Sequence, residues 1–230
     1  MGESFVNANQ SERFVETNIG RHNYDFLINA AGLDSLEIAH KMGAATELKM
    51  VPIKGRYAIS KEPGDIKMLV YPVPVEGAYV LGVHSTLTPE GYVKIGPTVF
   101  PAFGKENYDM MQGVSIKSIS KAISNYAHLV TSKKDRGLIW HFISNEFSKS
   151  LSIQRLLNDA AKLQDMKSSE FEWYKSGIRP QLFCTEKKQL MNDFMWCKSG
   201  EHAIHLLNVV SPGWTCAMPF ADYVVESLVP

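Results

Sequence analysis

His84 is a candidate for acid–base work in this chain. It follows Gly82-Val83 within Tyr79 to Thr86, a stretch that reads as a strand. An imidazole titrates near neutrality, so it can take a proton from a hydroxyl at physiological pH. The plain alternative is a sheet histidine whose ring nitrogens are hydrogen-bonded. Arg179, after Gly177-Ile178, carries a planar guanidinium that could grip a carboxylate through two parallel donors or serve a structural ion pair. Arg56 and Tyr71 are further candidates for a pocket wall. A different chemistry is offered by Ser211-Pro212-Gly213-Trp214-Thr215. Ser211 suits an N-cap, Pro212 suits the first helical position, and Gly213 leaves room for a ligand at the backbone. Beyond it, Trp214, Ala217, Met218, Ala221, Val224, Val225 and Leu228 recur at helical spacing, which predicts a buried helix. Its free amides and positive dipole end would suit an anion or an electron-rich ring oxygen. A capped C-terminal helix with no ligand is the alternative.

Other chemistries find less support. His202 and His205 are spaced HxxH, but no cysteine or carboxylate set stands at metal-ligand spacing beside them, so no metal site is expected. Cys216 falls near the predicted helix start, where its pKa could drop; an inert buried thiol is the alternative. There is no Gly-x-Ser-x-Gly elbow and no Walker loop. Lysine plus arginine and aspartate plus glutamate number 24 each, so nothing favours nucleic acid or an anionic surface. No apolar run approaches the roughly 20 residues of a membrane span. Cys184, Cys197 and Cys216 form no CxxC pair, and a reducing cytoplasm is the expected setting.

The elements that must position these residues can be read from the pattern. Residues 1–20 show no clear pattern beyond a polar start. Tyr24 to Ala30 reads as a buried strand, Ala31-Gly32 as a turn, and Asp34 with Glu37 as a capping-box-like start for a helix over 35–42 that stops at Gly43. In such a strand–turn–helix unit a ligand sits beyond the carboxyl end of the strand. Met50 to Ser60, Met68 to Pro74, Tyr79 to Thr86 and Tyr92 to Gly96 read as strands with short, antiparallel connections. Residues 114–165 read as helical, with apolar stripes at Ile119, Ala122, Ile123, Tyr126, Ala127 and Val130, then Ile139, Phe142, Ile143 and Phe147, then Ile153, Leu156, Leu157, Ala160 and Ala161 behind a Ser152 cap. Strands return over Pro180 to Thr185, Asp193 to Cys197 and Ala203 to Val209. Pro219 is expected to kink or restart the last helix.

Several stretches together resemble the FAD-dependent oxidoreductases of the D-amino-acid oxidase superfamily, most of all the L-2-hydroxyglutarate oxidase/dehydrogenase branch. They are Asn29-Ala30-Ala31-Gly32, Pro52-Ile53-Lys54-Gly55-Arg56-Tyr57, Tyr71-Pro72-Val73-Pro74, Leu81-Gly82-Val83-His84-Ser85-Thr86, Gly96-Pro97, Ser176-Gly177-Ile178-Arg179-Pro180-Gln181 and Ser211 to Thr215. The resemblance covers roughly 22–108 and 138–230. It implies that Ala31, Gly32 and Ser211 through Thr215 lie against FAD. It also implies that His84 accepts the hydroxyl proton of a small 2-hydroxy acid, and that Arg179, with Arg56 and Tyr71, holds the acid. Where relatives often carry Arg-Gly-Asp-Tyr, this chain has Lys54-Gly55-Arg56-Tyr57.

The expected fold class is therefore α+β, a mixed α/β chain. Residues 1–46 and 198–230 would form part of an FAD-binding domain, and residues 47–197 an antiparallel-sheet substrate domain with helices. No Gly-x-Gly-x-x-Gly turn for the pyrophosphate occurs in these 230 residues. The expectation that follows is a truncated or partial chain, binding FAD weakly alone, with an exposed strand edge at Tyr24 to Ala30 that invites self-association or a companion polypeptide. A non-catalytic remnant or interaction module is the alternative reading.

Overall fold

The predicted strand–turn–helix unit near the N-terminus and the predicted strand before Ser211 lie side by side. The protein's structure, a computed structural model, describes residues 2–64, 68–73, 82–109, 112–141, 151–160 and 170–229. It divides into two compact units, residues Met1–Met50 with Pro180–Pro230, and Val51–Arg179.

In the first unit, the polar N-terminus forms an antiparallel meander of β1 (Phe5–Asn9), β2 (Phe14–Thr17) and β3 (Arg21–Asn23), which the sequence reading missed. Its turns close on side chains: Asn9 Oδ1 accepts from the Glu12 amide at 3.0 Å, and Thr17 Oγ1 from the Gly20 amide at 3.1 Å. Next come β4 (Leu27–Asn29), a 3₁₀ turn over Gly32–Asp34, α1 (Ser35–Lys41) and β5 (Leu48–Met50). The expected capping box is absent, since Asp34 makes no side-chain cap bond; Ser35 Oγ instead donates to the Gly32 carbonyl at 2.7 Å. Gly43, at φ 73°, ends the helix in the left-handed region where a side chain is disfavoured.

The same unit continues with β13 (Leu182–Cys184), β14 (Gln189–Leu190), β15 (Met195–Lys198), β16 (Ala203–Leu207) and α5 (Ala217–Leu228). β16 is central between antiparallel β15 and parallel β4, with Ala203 opposite Leu27 and His205 opposite Asn29. Two parallel neighbours end at the same edge, so the Asn29–Gly32 turn and the segment from Asn208 to Thr215 leave the sheet together. β13 pairs with β5 and β14. Leu36 and Ala39 of α1 pack with Leu48, Leu182, Cys184 and Leu207 as the core.

The last helix departs from expectation. It begins at Ala217, with Cys216 in the N-cap position and no side-chain cap, so Ser211 caps nothing and Pro212 is not its first residue. A run of turn hydrogen bonds precedes it instead. The Gly213 amide donates to Val210 O at 2.6 Å, while Thr215 Oγ1 and the Cys216 amide both donate to Pro212 O, at 3.0 and 3.1 Å. Pro219 then falls in the first turn, where no amide is required, and the helix runs unbroken from Ala217 to Leu228. Nor is the helix buried within this chain: Val224 is its one buried residue, whereas Trp214 is 93% and Met218 79% exposed. Its contacts are aromatic, Phe220 with Phe194 and Tyr223 with Trp196.

The second unit holds β6 (Ile53–Gly55), β7 (Ala58–Ser60), β8 (His84–Leu87), β9 (Val93–Gly96), β10 (Phe100–Pro101), α2 (Ile116–Thr131), α3 (Arg136–His141), α4 (Ile153–Ala160), β11 (Phe171–Trp173) and β12 (Gly177–Arg179). One sheet runs β10-β6-β12 and the other β11-β7-β9-β8, all antiparallel. Met68 to Pro74 is not a strand over the described residues 68–73, where a single bridge joins Val70 to Ser85. Phe142, Ile143, Phe147 and Ala161 lie outside the described residues. α2 starts with a reciprocal Ser115/Ser118 box. Its buried residues are Ala122 and Leu129; Ile123 and Val130 of the expected stripe are exposed. The Tyr126 hydroxyl, which bonds Pro52 O and accepts from the Ala102 amide at 3.1 Å, sets the helix rotation. No helix among the described residues is long and apolar enough to cross a membrane.

Candidate functional site

The four-stranded sheet has two chemically distinct faces. Ala58, Val93, Ile95 and Phe171 pack with Leu156, Leu157 and Ala160 of α4 on one face, joined by Leu87 and Trp173. Side chains alternate along a strand, so the residues between them face the other way. Ladder pairs align those: Glu172 with Ile59, Ile59 with Lys94, Lys94 with Thr86, and Gly96 with His84. Tyr57 lies over Gly96, where a Cβ would come within 2.6 Å of the ring. One apolar face therefore anchors the sheet, and the opposite face presents a histidine, a lysine and a tyrosine.

His84 is only 9% exposed. Its Nδ1 lies 3.0 Å from the Gly82 carbonyl. A carbonyl can only accept, so Nδ1 carries the hydrogen and Nε2 keeps a lone pair. Tyr71 stacks on the imidazole, with centroids 4.6 Å apart and planes at 24°. Tyr57 meets it edge-on at 6.4 Å. Burial holds the imidazole below its ordinary pKa, the Gly82 bond works against that, and Lys94 adds to it. The ring is thus a neutral base near pH 7.

The structure brings His84, Tyr71 and Tyr57 together. The Arg56 guanidinium instead sits 3.9 Å over the Trp173 ring, on the core side of the sheet. Its amide bonds Thr98 Oγ1 at 3.2 Å. Arg179 stands on β12 opposite Ile53 of β6, in the neighbouring sheet, half-buried. Burial lowers its pKa, yet a guanidinium stays charged in that range. Tyr57 and Lys94 escaped the sequence reading. The parity of Lys94-Ile95-Gly96 against the strand containing His84 was the signal that could have found them.

In the first unit, Asn29 ties the turn at the end of β4. Its Nδ2 donates to Ser35 O and to His205 Nδ1, both at 2.8 Å, and its Oδ1 accepts from the Ala31 amide at 3.3 Å. His205 is fully buried, whereas its HxxH partner His202 is exposed. Because Nδ1 accepts, Nε2 bears the hydrogen, and it has no hydrogen-bond partner among the described residues.

Both histidines are neutral in the fold, which fixes a pH dependence. Burial is the first cause of the lowered pKa in each. Unfolding raises each toward about 6.5, so the unfolded chain takes up protons that the folded chain refuses. Stability is therefore complete above about pH 6.5 and declines as pH falls below it, by up to about 1.4 kcal/mol per pH unit for each histidine. Urea unfolding between pH 5 and 7.5 checks this, and His84→Gln should remove about half of the slope.

Whether the residues present fit FAD can be tested at the two turns. Gly32 is exposed at φ 57° with nothing within 4 Å of a Cβ position, an open backbone that a flat group can approach. The Gly32 and Leu33 amides precede the first bond of the 3₁₀ turn, from the Asp34 amide to Ala31 O. Ser211, Pro212, Trp214 and Thr215 are exposed as well, and the Trp214 and Thr215 amides have no acceptor among the described residues. Gly213 differs from expectation: a Cβ there would meet Val210 O at 2.9 Å and Val209 Cγ1 at 3.1 Å, so it serves close packing of its own loop. These amides fit a group that needs hydrogen-bond donors.

The family model described as FAD dependent oxidoreductase, DAO, matches residues 3–227. The L-2-hydroxyglutarate dehydrogenase of Indibacter alkaliphilus is 29% identical over 226 residues, which is 96% of this chain and 55% of that protein. The mitochondrial L-2-hydroxyglutarate dehydrogenase of Caenorhabditis briggsae is 26% identical, over 88% of this chain and 47% of its own. The chain spans about half the length of the curated relatives it matches. Among solved structures, FAD-bound L-alpha-glycerophosphate oxidase from Mycoplasma pneumoniae has a TM-score of 0.57 at 17% identity, covering 97% of this chain and 49% of that one. L-proline dehydrogenase from P. horikoshii has a TM-score of 0.54 at 12% identity, covering 99% and 51%. These structures share the mixed helix-and-sheet fold. With the family model running over nearly the whole chain, the protein belongs to the DAO family of oxidoreductases, whose cofactor is FAD.

Proposed function

We propose that this chain serves the FAD-dependent oxidation of a small 2-hydroxy acid, with L-2-hydroxyglutarate the first substrate to try. The observation that carries the reading is His84, a neutral imidazole with Nδ1 bonded to Gly82 O and Nε2 left as acceptor, clasped by Tyr57 and Tyr71. Bound FAD supplies a hydride acceptor. His84 Nε2 takes the hydroxyl proton, so that the C2 hydrogen can leave with its electron pair. Arg179 holds the C1 carboxylate, while Tyr71 and Arg56 belong to the wall of the pocket. Ala31, Gly32 and Ser211 through Thr215 face the flavin, where backbone amides can meet its ring oxygen. The similarity to L-2-hydroxyglutarate dehydrogenases supports the substrate class. The three free cysteines suit a cytoplasmic setting.

A second reading has its own observation. β4 has a neighbour on one side only in the described sheet, and Ile28 on it is 42% exposed. Such an edge recruits another strand. In this reading the chain is a non-catalytic module that associates with itself or with a companion polypeptide. Spectral titration with FAD, followed by anaerobic addition of L-2-hydroxyglutarate, separates the two. Flavin uptake with bleaching by the hydroxy acid supports the oxidoreductase. A colourless protein that takes up no FAD and grows larger in light scattering with concentration overturns it in favour of the module.

A further inference from the structure

Lys94 shares a sheet face with His84, opposite the apolar core. It stands opposite Thr86 and diagonal to His84, which pairs with Gly96. Diagonal neighbours on an antiparallel ladder are about 7–8 Å apart. The Lys94 ammonium lies 4.6 Å from the centroid of Tyr57, the ring whose edge meets His84. A ring face attracts a cation but gives its N–H donors no lone pair of ordinary strength. Among the described residues no carboxylate pairs with Lys94; the ion pairs found there are Arg21 with Glu12 and His22 with Glu3. The neighbouring cations are engaged elsewhere. Lys54 Nζ donates to Asn107 Oδ1 at 3.0 Å and to Asp109 O at 3.1 Å, and Arg56 rests on Trp173.

The sheet thus sets a positive charge, paired with no carboxylate among the described residues, on the same face as a proton acceptor. In a five-carbon 2-hydroxydiacid, three carbon–carbon bonds separate the hydroxyl carbon from the far carboxylate. With that hydroxyl on His84, the far carboxylate reaches toward Lys94 along the sheet face. We propose that Lys94 binds the second carboxylate of the substrate and makes this site selective for 2-hydroxydicarboxylates over 2-hydroxymonocarboxylates; the proposal rests on His84 being the proton acceptor for a 2-hydroxy acid.

The test needs no cofactor and no turnover. The chain is labelled with ¹⁵N-histidine, the His84 ring signal is assigned with His84→Gln, and the signal is followed during titration with L-2-hydroxyglutarate and with L-2-hydroxybutyrate. Both acids should shift the signal, the diacid at lower concentration. Lys94→Gln should weaken diacid binding by about tenfold or more, since a hydrogen bond to a charged group is lost. It should leave the monoacid within about twofold, and Lys94→Arg should restore the preference. If Lys94→Gln weakens both acids alike, or leaves the diacid unchanged, Lys94 is not the anchor, although His84 remains a hydroxy-acid site. If neither acid moves the His84 signal, the reading of His84 falls and the role of Lys94 with it.

Discussion

Replacing Asn208 with alanine is expected to destabilise the protein by about 3–5 kcal/mol, because three hydrogen bonds to a buried side chain vanish at once. Asn208 is 3% exposed and follows β16 directly. Its Oδ1 accepts from the Leu182 amide at 3.1 Å, and its Nδ2 donates to Met191 O at 2.8 Å and to Asp193 O at 2.7 Å. One side chain thereby joins β13, the end of the β13–β14 hairpin and the approach to β15 beneath the turn that leads to Ser211. Removing it leaves an amide and two carbonyls without their partner, and each loss costs about 1–3 kcal/mol where water cannot replace it. The backbone at Asn208 is left-handed, φ 46°, a conformation that asparagine adopts more readily than alanine. Asn208→Gly should therefore recover about 1 kcal/mol relative to Asn208→Ala while remaining well below wild type. Urea unfolding of the three proteins measures this. A loss under about 1 kcal/mol for alanine would mean that the three bonds are replaced by solvent.

Asn208 also shows what sequence pattern can and cannot carry. The strand before it, the strand over Leu27–Asn29 and the helix after Ser35 were legible because burial against one core repeats with a fixed period. That the two strands lie in one part of the fold was an expectation of the family resemblance, and the parallel pairing of Ala203 with Leu27 became visible only in the structure. What escaped was decided by individual polar side chains. The meander at Phe5–Asn23 is held by Asn9 and Thr17 turning on their own backbone, with Arg21 covering Phe14 at 3.4 Å, and no apolar alternation announces it. The helix start was misplaced because residues 211–216 form a run of turns ahead of the helix, which a preference for serine and proline at helix starts does not reveal. The exposed apolar face of α5 looked like a core stripe because spacing says that a face is apolar, not what covers it. At the candidate site His84 and Tyr71 were legible as chemistry. Their neighbours Tyr57 and Lys94 became visible only through ladder register, and the guanidinium of Arg56 turned to Trp173 rather than toward His84.

Gly96→Ala is the substitution expected to connect stability with the site, at a cost of about 2–5 kcal/mol from overpacking and backbone strain together. The added Cβ would stand 2.6 Å from Tyr57 Cδ1 and 2.8 Å from Arg56 O. A ring can rotate away, but the carbonyl belongs to the chain entering β7 and accepts from the Thr98 amide at 2.9 Å, so it cannot yield without breaking that bond. The backbone at Gly96 lies at φ 148°, outside the range an alanine adopts freely. Relief therefore requires Tyr57 to leave its seat, which removes the edge contact with His84 and the ring under Lys94. The ¹⁵N signal of His84 should move in Gly96→Ala even under conditions where the chain remains folded. Gly32→Ala provides the contrast. Its φ of 57° lies in the left-handed region that a side chain enters at modest cost, and nothing lies within 4 Å of the new methyl. Its cost should stay near the 1–2 kcal/mol of the left-handed backbone alone, with the His84 signal unchanged. Equal losses at the two glycines in chemical denaturation would show that backbone conformation, and not the close approach of Tyr57 and Arg56, is what excludes a side chain at Gly96.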